Sequence, residues 1–248
     1  MIAGQGTVAL EVLAQVPEVQ TIVVPLGGGG LIAGCAIAVK HRRPDVRIVG
    51  VQVDGYAGMA HALGQSRKPT GGATIAEGIA VTMPGMITKA ICREFVDDIV
   101  IVDEQQIEEA VALFLEIEKT MVEGAGAASL AALLAAPDAF KGQHCALIVS
   151  GGNIDLRVLS SVILRALART GRIVHFRLEI PDRPGVLAAI STVIGESGGN
   201  IIDVEHHRDR PGVPLRETVL EVSVETRDQA HADRIRVRLN EAGFPTSG

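Results

Sequence analysis

A chain of 248 residues with 47% hydrophobic residues has ample material for a core, and its 2% aromatic content leaves the filling to Ala, Val, Ile and Leu. Its 28 glycines suit close helix–sheet packing and suit neither a disulfide scaffold nor a disordered chain. The net charge of −6 argues against a nucleic-acid partner, and no apolar run reaches the roughly 18 residues that span a bilayer, which argues against a membrane. The densest basic patch, Lys40-His41-Arg42-Arg43, reads as a solvated helix end. Cys35, Cys92 and Cys145 lack C-x-x-C spacing, which points to reduced thiols and a cytoplasmic setting. The opening MIAGQGTVALEVL has no basic segment before an apolar stretch and does not read as a secretory signal.

In chain order, Gly6–Val16 has helical spacing. Thr21–Leu26 (TIVVPL) is a short β-branched run, followed by four glycines and the helix LIAGCAIAVKHRR, which Pro44 closes. Val46–Val53 is the next strand, so the unit is β-α-β with strands expected parallel and buried. Residues 55–97 are less regular, with turns around Lys68–Thr74 and Thr82–Gly85. Asp98–Asp103 predicts a strand, and Glu104–Lys119 a helix carrying Ile107, Val111 and Phe114 on one face. EGAGAA leads into a second helix, Ser129–Ala136. His144–Ser150 predicts a fourth strand, ending in Gly151-Gly152-Asn153, and a helix from Leu156 to about Arg169 completes the block.

At Thr170-Gly171 the character changes. Strand Arg172–Ile180, helix Val186–Ser197, strand Asn200–His206, strand Glu217–Thr226 and helix Asp228–Ala242 form β-α-β-β-α. That is one strand short of the ferredoxin-like unit, since Phe244–Gly248 is short and polar. DRPGVPL reads as a polar turn between the second and third strands. The expected domains are 1–170 and 171–248.

Four glycines after a buried strand are entropically costly and are kept where backbone comes very close to something. They open a helix whose first N–H groups and dipole favour an anion, so phosphate is the expected ligand. A plain tight turn needs fewer glycines. Gly28–Ala33 also satisfies G-x-G-x-x-A, with Asp54 at the end of the next strand, which keeps a nucleotide-binding oxidoreductase open as an alternative. Against it, any four-glycine run matches that fingerprint. A second glycine turn, Ser150-Gly151-Gly152-Asn153, also ends a strand, and two such turns point to one shared ligand.

The ordered segments VVPLGGGGLIAG, TIAEGIAV, VEGAGAASLAAL and IVSGGNID resemble the threonine ammonia-lyase/serine racemase group of fold-type II pyridoxal-phosphate enzymes. The likeness runs from Ala3-Gly4-Gln5-Gly6-Thr7 to about residue 170. It implies an α/β large domain, a parallel sheet flanked by helices, that deaminates L-threonine (or serine); the threonine product is 2-oxobutanoate with ammonia. It implies that Gly27, Gly28, Gly29 and Gly30 wrap the phosphate of pyridoxal 5'-phosphate, that Ser150 bonds its pyridine nitrogen, and that Gly78 lines its face. It places Glu123 near ring and substrate; the residue-level alternative is a solvated acid before a helix.

The resemblance also implies a Schiff-base lysine in an S-F-K-x-R-G-like segment upstream of the glycine loop. The five lysines, Lys40, Lys68, Lys89, Lys119 and Lys141, all lack that context. The chain is therefore expected to be truncated before this lysine and inactive alone. Some members hold a divalent cation through carboxylates; here those positions read Gln52 and about Gly58, so no structural metal is expected.

Residues 172–248 resemble an ACT domain, a ferredoxin-like α+β sensor of small molecules, through DRPGVL (Asp182–Leu187) and GGNII (Gly198–Ile202). Pro184 and Gly185 form a loop that exposes backbone N–H groups at a helix start, suited to an amino-acid carboxylate, and Asn200 offers hydrogen bonds to the ligand. The alternative is a simple turn. The resemblance implies isoleucine or valine as effector and a homo-oligomer through the ACT domain. His206 and His207 point to opposite faces of a strand, so one metal does not take both; with Arg208-Asp209-Arg210 they read as a polar hairpin mouth. A non-catalytic module that binds amino acid and cofactor is the second functional reading.

Overall fold

The computed structural model describes residues 1–207 and 217–247. The chain divides into two compact units, Met1–Val162 and Ile163–Gly248.

In the first unit, α1 (Ile2–Gln15) precedes β1 (Thr21–Pro25), α2 (Gly30–Arg42) and β2 (Arg47–Val53). Then come α3 (Gly58–Ala62), α4 (Met86–Phe95), β3 (Asp98–Val102), α5 (Glu104–Glu116), α6 (Gly124–Ala135) and β4 (Cys145–Leu147). Helix α7 (Leu156–Arg169) crosses the division between the units. The strands form one parallel sheet in the order β3-β2-β1-β4. Every residue of β1 is buried, which explains its uninterrupted apolar reading. Val23, Val49 and Val51 face a core completed by α5 and α6, and Ile22, Val24 and Ile48 face a second one completed by α1 and α2. Helices α1 and α2 touch through glycine: a Cβ on Gly34 would lie 2.3 Å from the Ile2 carbonyl oxygen. Helix α5 begins with a capping box, in which Asp103 accepts from the Gln106 N–H (2.8 Å) and Gln106 from the Asp103 N–H (2.9 Å).

Several boundaries differ from the sequence expectation. The irregular stretch 55–97 contains α3, a 3-10 turn at Glu77–Ile79, and the full helix α4. Helix α5 stops at Glu116, and Lys119 adopts φ 55°. Helix α6 begins at Gly124 rather than Ser129, because its glycines serve close packing: a Cβ on Gly124 would lie 2.4 Å from Ile75 O, and one on Gly126 2.4 Å from Gly151 O.

The second unit continues with β5 (Ile173–Pro181), α8 (Val186–Glu196), β6 (Asn200–His207), β7 (Glu217–Glu225), α9 (Gln229–Glu241) and β8 (Thr246–Ser247). The missing strand is thus present: β8 pairs with β5 through two residues, giving an antiparallel sheet of order β6-β7-β5-β8 and a ferredoxin-like unit. Phe176, Leu178, Leu220 and Val222 pack on Ile190, Ile194, Ile235 and Leu239 of the two helices. His231, buried in α9, accepts from the Arg227 N–H at Nδ1 (3.1 Å), while its Nε2 lies 2.8 Å from Ser197 O. The turn DRPGVPL and Arg208-Asp209-Arg210 lie outside the described residues.

Candidate functional site

Strand β1 pairs with β2 on one side and β4 on the other. The chain leaves β1 for α2 and leaves β4 for α7, so the carboxyl ends of β1 and β4 flank the topological switch point, where open α/β sheets bind ligands. Both glycine turns lie there. Ser129 of α6 holds the two ends together: its buried hydroxyl is 3.1 Å from Val23 O and 3.0 Å from Ile148 O.

The four glycines are not equivalent. Gly29 is the N-cap of α2 with φ 92°, and a Cβ there would lie 2.8 Å from Met59 Cε and 2.9 Å from Thr88 Cβ. A Cβ on Gly27 would lie 3.0 Å from Ile79 Cα. On Gly28 and Gly30 it would meet nothing within 4 Å. The alternate pair is therefore packed against protein, and the other pair is open. The Thr88 hydroxyl, on a helix the sequence reading missed, donates to Gly28 O (2.7 Å) and fixes the loop from outside. Gln52, fully buried, donates to Leu26 O (3.2 Å) and Tyr56 O (3.3 Å) and accepts from the Ala60 N–H (2.9 Å), fixing the approach to the loop.

A cavity of about 340 Å³ opens beside the loop, lined by Gly27, Gly28, Gly29, Gly30, Gly78, Glu123 and Ser150. The six residues expected from the sequence to hold the cofactor, together with Glu123, thus line one space. Gly78 belongs to the 3-10 turn, and a Cβ on it would lie 2.9 Å from Ala125 Cβ. Glu123 is the N-cap residue of α6 and is only half-buried. Its Oε2 accepts from the Asn153 N–H (3.2 Å), and its own N–H donates to Gly151 O (3.2 Å). A Cβ on Gly151 would lie 2.5 Å from Glu123 Oε1, so this glycine lets the carboxylate seat against the second turn. Glu123 and Gly78 also line an adjoining cavity of about 260 Å³ with Glu77, Asn153 and Asp155. No lysine is among the residues lining either cavity.

Asp54 does not line these cavities; it pairs with Arg67 (3.0 Å) in a separate space of about 60 Å³. The carboxylate that a dinucleotide reading needs is therefore engaged elsewhere. Gly58, at about the position where the resemblance implies a carboxylate in metal-holding members, opens α3, and a Cβ on it would lie 2.4 Å from Thr82 O.

In the second unit, a cavity of about 290 Å³ is lined by Ile180–Leu187 and His206. Pro184 lies on it, and Gly185 (φ 92°) is the N-cap of α8. Asn200 is not among its lining residues: its Nδ2 donates to Glu225 Oε2 (3.1 Å). The reason is topological. Strand β6 returns alongside α8, so its first residue lies by the helix C-terminus and its penultimate residue, His206, by the N-terminus. The histidine is the polar group that the sequence reading did not bring to this pocket.

Among known proteins, residues 1–151 match the family described as pyridoxal-phosphate dependent enzyme, and residues 174–240 match the ACT domain. L-threonine ammonia-lyases of Thermotoga maritima and Geobacter sulfurreducens are 38% and 39% identical over 246 residues, 98% of this chain and 61% of theirs. The chain thus spans about three-fifths of the length of these relatives. The structure of maize serine racemase superposes with a TM-score of 0.59 at 40% identity, over 66% of this chain and 52% of that one. Among the described residues, no helix is long and apolar enough to cross a membrane. The chain belongs to the family of pyridoxal-phosphate dependent enzymes and carries an ACT domain.

Proposed function

We propose that this chain supplies the cofactor cradle and the amino-acid-sensing domain of an L-threonine ammonia-lyase. The observation that carries the reading is the single cavity onto which both glycine turns, Gly78 and Glu123 converge at the switch point. The residues fit pyridoxal phosphate. Gly28 and Gly30 leave open the space a side chain would fill, at the N-terminus of α2, where unpaired N–H groups and the helix dipole favour a phosphate. The family implies the cofactor, and Gly27, Gly28, Gly29 and Gly30 are the residues proposed to hold its phosphate.

When bound, the cofactor supplies a conjugated ring that takes up negative charge from the substrate's α-carbon. The Ser150 hydroxyl is proposed to face the ring nitrogen; as a neutral group it leaves that nitrogen largely without a proton. Gly78 presents backbone rather than a side chain to the ring. Glu123, held by the Asn153 N–H, is a fixed carboxylate next to the ring and the substrate's polar groups. A lysine that moves the α-proton has to come from chain other than these cavity walls, so the 248 residues alone are expected not to turn over threonine. In the second unit, the α8 N-terminus receives the carboxylate of isoleucine or valine, and the apolar stems of Ile180, Val186 and Leu187 meet its side chain. The ACT domain is proposed to assemble the protein as a homo-oligomer.

The test is absorbance titration of the chain with pyridoxal phosphate, competed with inorganic phosphate, alongside a 2-oxobutanoate assay. Saturable, phosphate-sensitive binding without turnover is expected. Preferential binding of a nicotinamide dinucleotide at the same loop would refute the reading, as would threonine turnover by the isolated chain refute the missing lysine. A rise in the melting temperature with millimolar isoleucine tests the second unit; no shift with either isoleucine or valine counts against it.

A further inference from the structure

The face of the second unit's sheet that points away from α8 and α9 carries a cluster used by neither cavity. On β6, Glu205 and His207 are two positions apart and share a face, and Glu221 of β7 stands directly opposite Glu205. This meeting depends on a bulge. Ile201 stands opposite Val224 and Asp203 opposite Ser223, so Ile202 is an additional residue in β6. In an unbroken register Glu205 would face Leu220, on the side packed against the helices, because a one-residue slip exchanges the two faces of a strand. The bulge thus turns Glu205 and His207 toward Glu221 and leaves Val204 and His206 on the helix side.

We propose that Glu205, His207 and Glu221 bind one divalent transition-metal ion of the zinc type, which clamps the edge strand β6 to β7. Their ligand atoms all lie within 4.8 Å of one another, and His207 Nε2 is 3.1 Å from Glu205 Oε2. Ligands at zinc distances stand about 3.4 Å apart around a tetrahedral ion, so closing the set moves a carboxylate oxygen by roughly 1.4 Å. Side-chain rotation on a half-exposed face covers that. The imidazole selects zinc-like ions over magnesium and calcium, which take oxygen shells. Two carboxylates and a neutral imidazole balance the ion's charge, and the ion removes the repulsion between carboxylates directly opposite each other. Arg177, the neighbour of Glu221 on β5, offsets part of that repulsion without metal, so the competing arrangement is a plain set of cross-strand ion pairs. The His207 side chain is 33% exposed and that of Glu205 58%, which leaves the fourth position to water.

The test uses the full chain stripped with chelator and titrated with Zn²⁺, Co²⁺ and Mg²⁺. One Zn²⁺ per chain is expected, with a rise in melting temperature that Mg²⁺ does not give and with visible Co²⁺ bands of a four-coordinate site. Glu205→Gln and His207→Asn are each expected to weaken binding by about tenfold or more, and both sit at the surface, where folding tolerates them. His206→Asn, on the opposite face, is expected to leave metal binding unchanged. Absence of Co²⁺ bands at roughly 0.1 mM metal overturns the proposal, as does equal binding of Mg²⁺, indifference to both substitutions at Glu205 and His207, or an equal loss in His206→Asn.

Discussion

Adding one methyl group to neighbouring glycines of the loop separates what folds the site from what fills it. Gly29→Ala places a Cβ at φ 92°, which costs an L-residue about 1–2 kcal/mol. The same Cβ comes 2.8 Å from Met59 Cε and 2.9 Å from Thr88 Cβ, and such overpacking costs about 1–3 kcal/mol. The stiffer unfolded chain returns roughly 0.4–1 kcal/mol, so the net loss is about 2–4 kcal/mol. At roughly 2–4 °C per kcal/mol for a unit of this size, the melting temperature of the first unit falls by about 5–15 °C. Gly28→Ala meets nothing within 4 Å and is expected to melt near the parent temperature. Its methyl group occupies space at the proposed phosphate cradle, so pyridoxal-phosphate affinity is expected to drop about tenfold or more. Thermal unfolding by circular dichroism and cofactor titration of both variants give the two readouts. Equal melting losses, or unchanged cofactor affinity in Gly28→Ala, would refute the assignment of one glycine to packing and the other to the ligand.

Three further outcomes follow from buried groups. Ser129→Ala removes the hydroxyl between Val23 O and Ile148 O and is expected to cost about 1–3 kcal/mol, read from the urea midpoint at unchanged slope. Gln52→Glu turns an amide that donates to two carbonyls into a carboxylate that faces them; a loss of about 2–4 kcal/mol at pH 8, smaller at pH 5 where the acid can protonate, is the expected pattern. Burial pushes the Cys35 and Cys92 thiols up to about 11 from an ordinary value of 9.0. The folded state therefore resists losing these protons: its stability is full below pH 9 and declines as pH rises toward 11, and thiol reagents at pH 8 should modify both residues only after unfolding.

The cavity proposed for the cofactor is legible because its determinants are local. A fully buried parallel strand reads as a continuous apolar run, and glycines mark where backbone must come close. The helix α4 that braces the loop was not legible: Gly85 caps it without a side-chain hydrogen bond, and Cys92 is its only buried residue among those described, so both start signal and apolar stripe are thin. The true start of α6 was hidden because Gly124 and Gly126 are poor helix formers kept for contact with Ile75 O and Gly151 O. In the second unit Asn200 is expected beside Pro184 and Gly185, whereas His206 lines the cavity there. That choice depends on which end of β6 returns beside the α8 N-terminus, a relation made by tertiary pairing. The β6 bulge is invisible for the same reason, since alternation along one strand does not reveal the count along its partner. Strand β8, two residues long, makes no periodic pattern at all.

The pairing of β1 with β4 also bears on when the site forms. Gln20 and His144, 124 positions apart, are joined by a hydrogen bond at the foot of that pair. Nearly the whole first unit is the loop this contact closes, and the cost of closure comes before any contact repays it. In the chain, the glycine turn after β1 is followed closely by α2 and β2. Its partner turn at Ser150 arrives only after more than a hundred further residues. The two walls of the cavity are therefore expected to meet late in folding, with an agent that binds both walls acting as a late fastener rather than as a nucleus. Substitutions at the β1–β4 seam, Ser129 among them, should then hasten unfolding while leaving the folding rate nearly untouched.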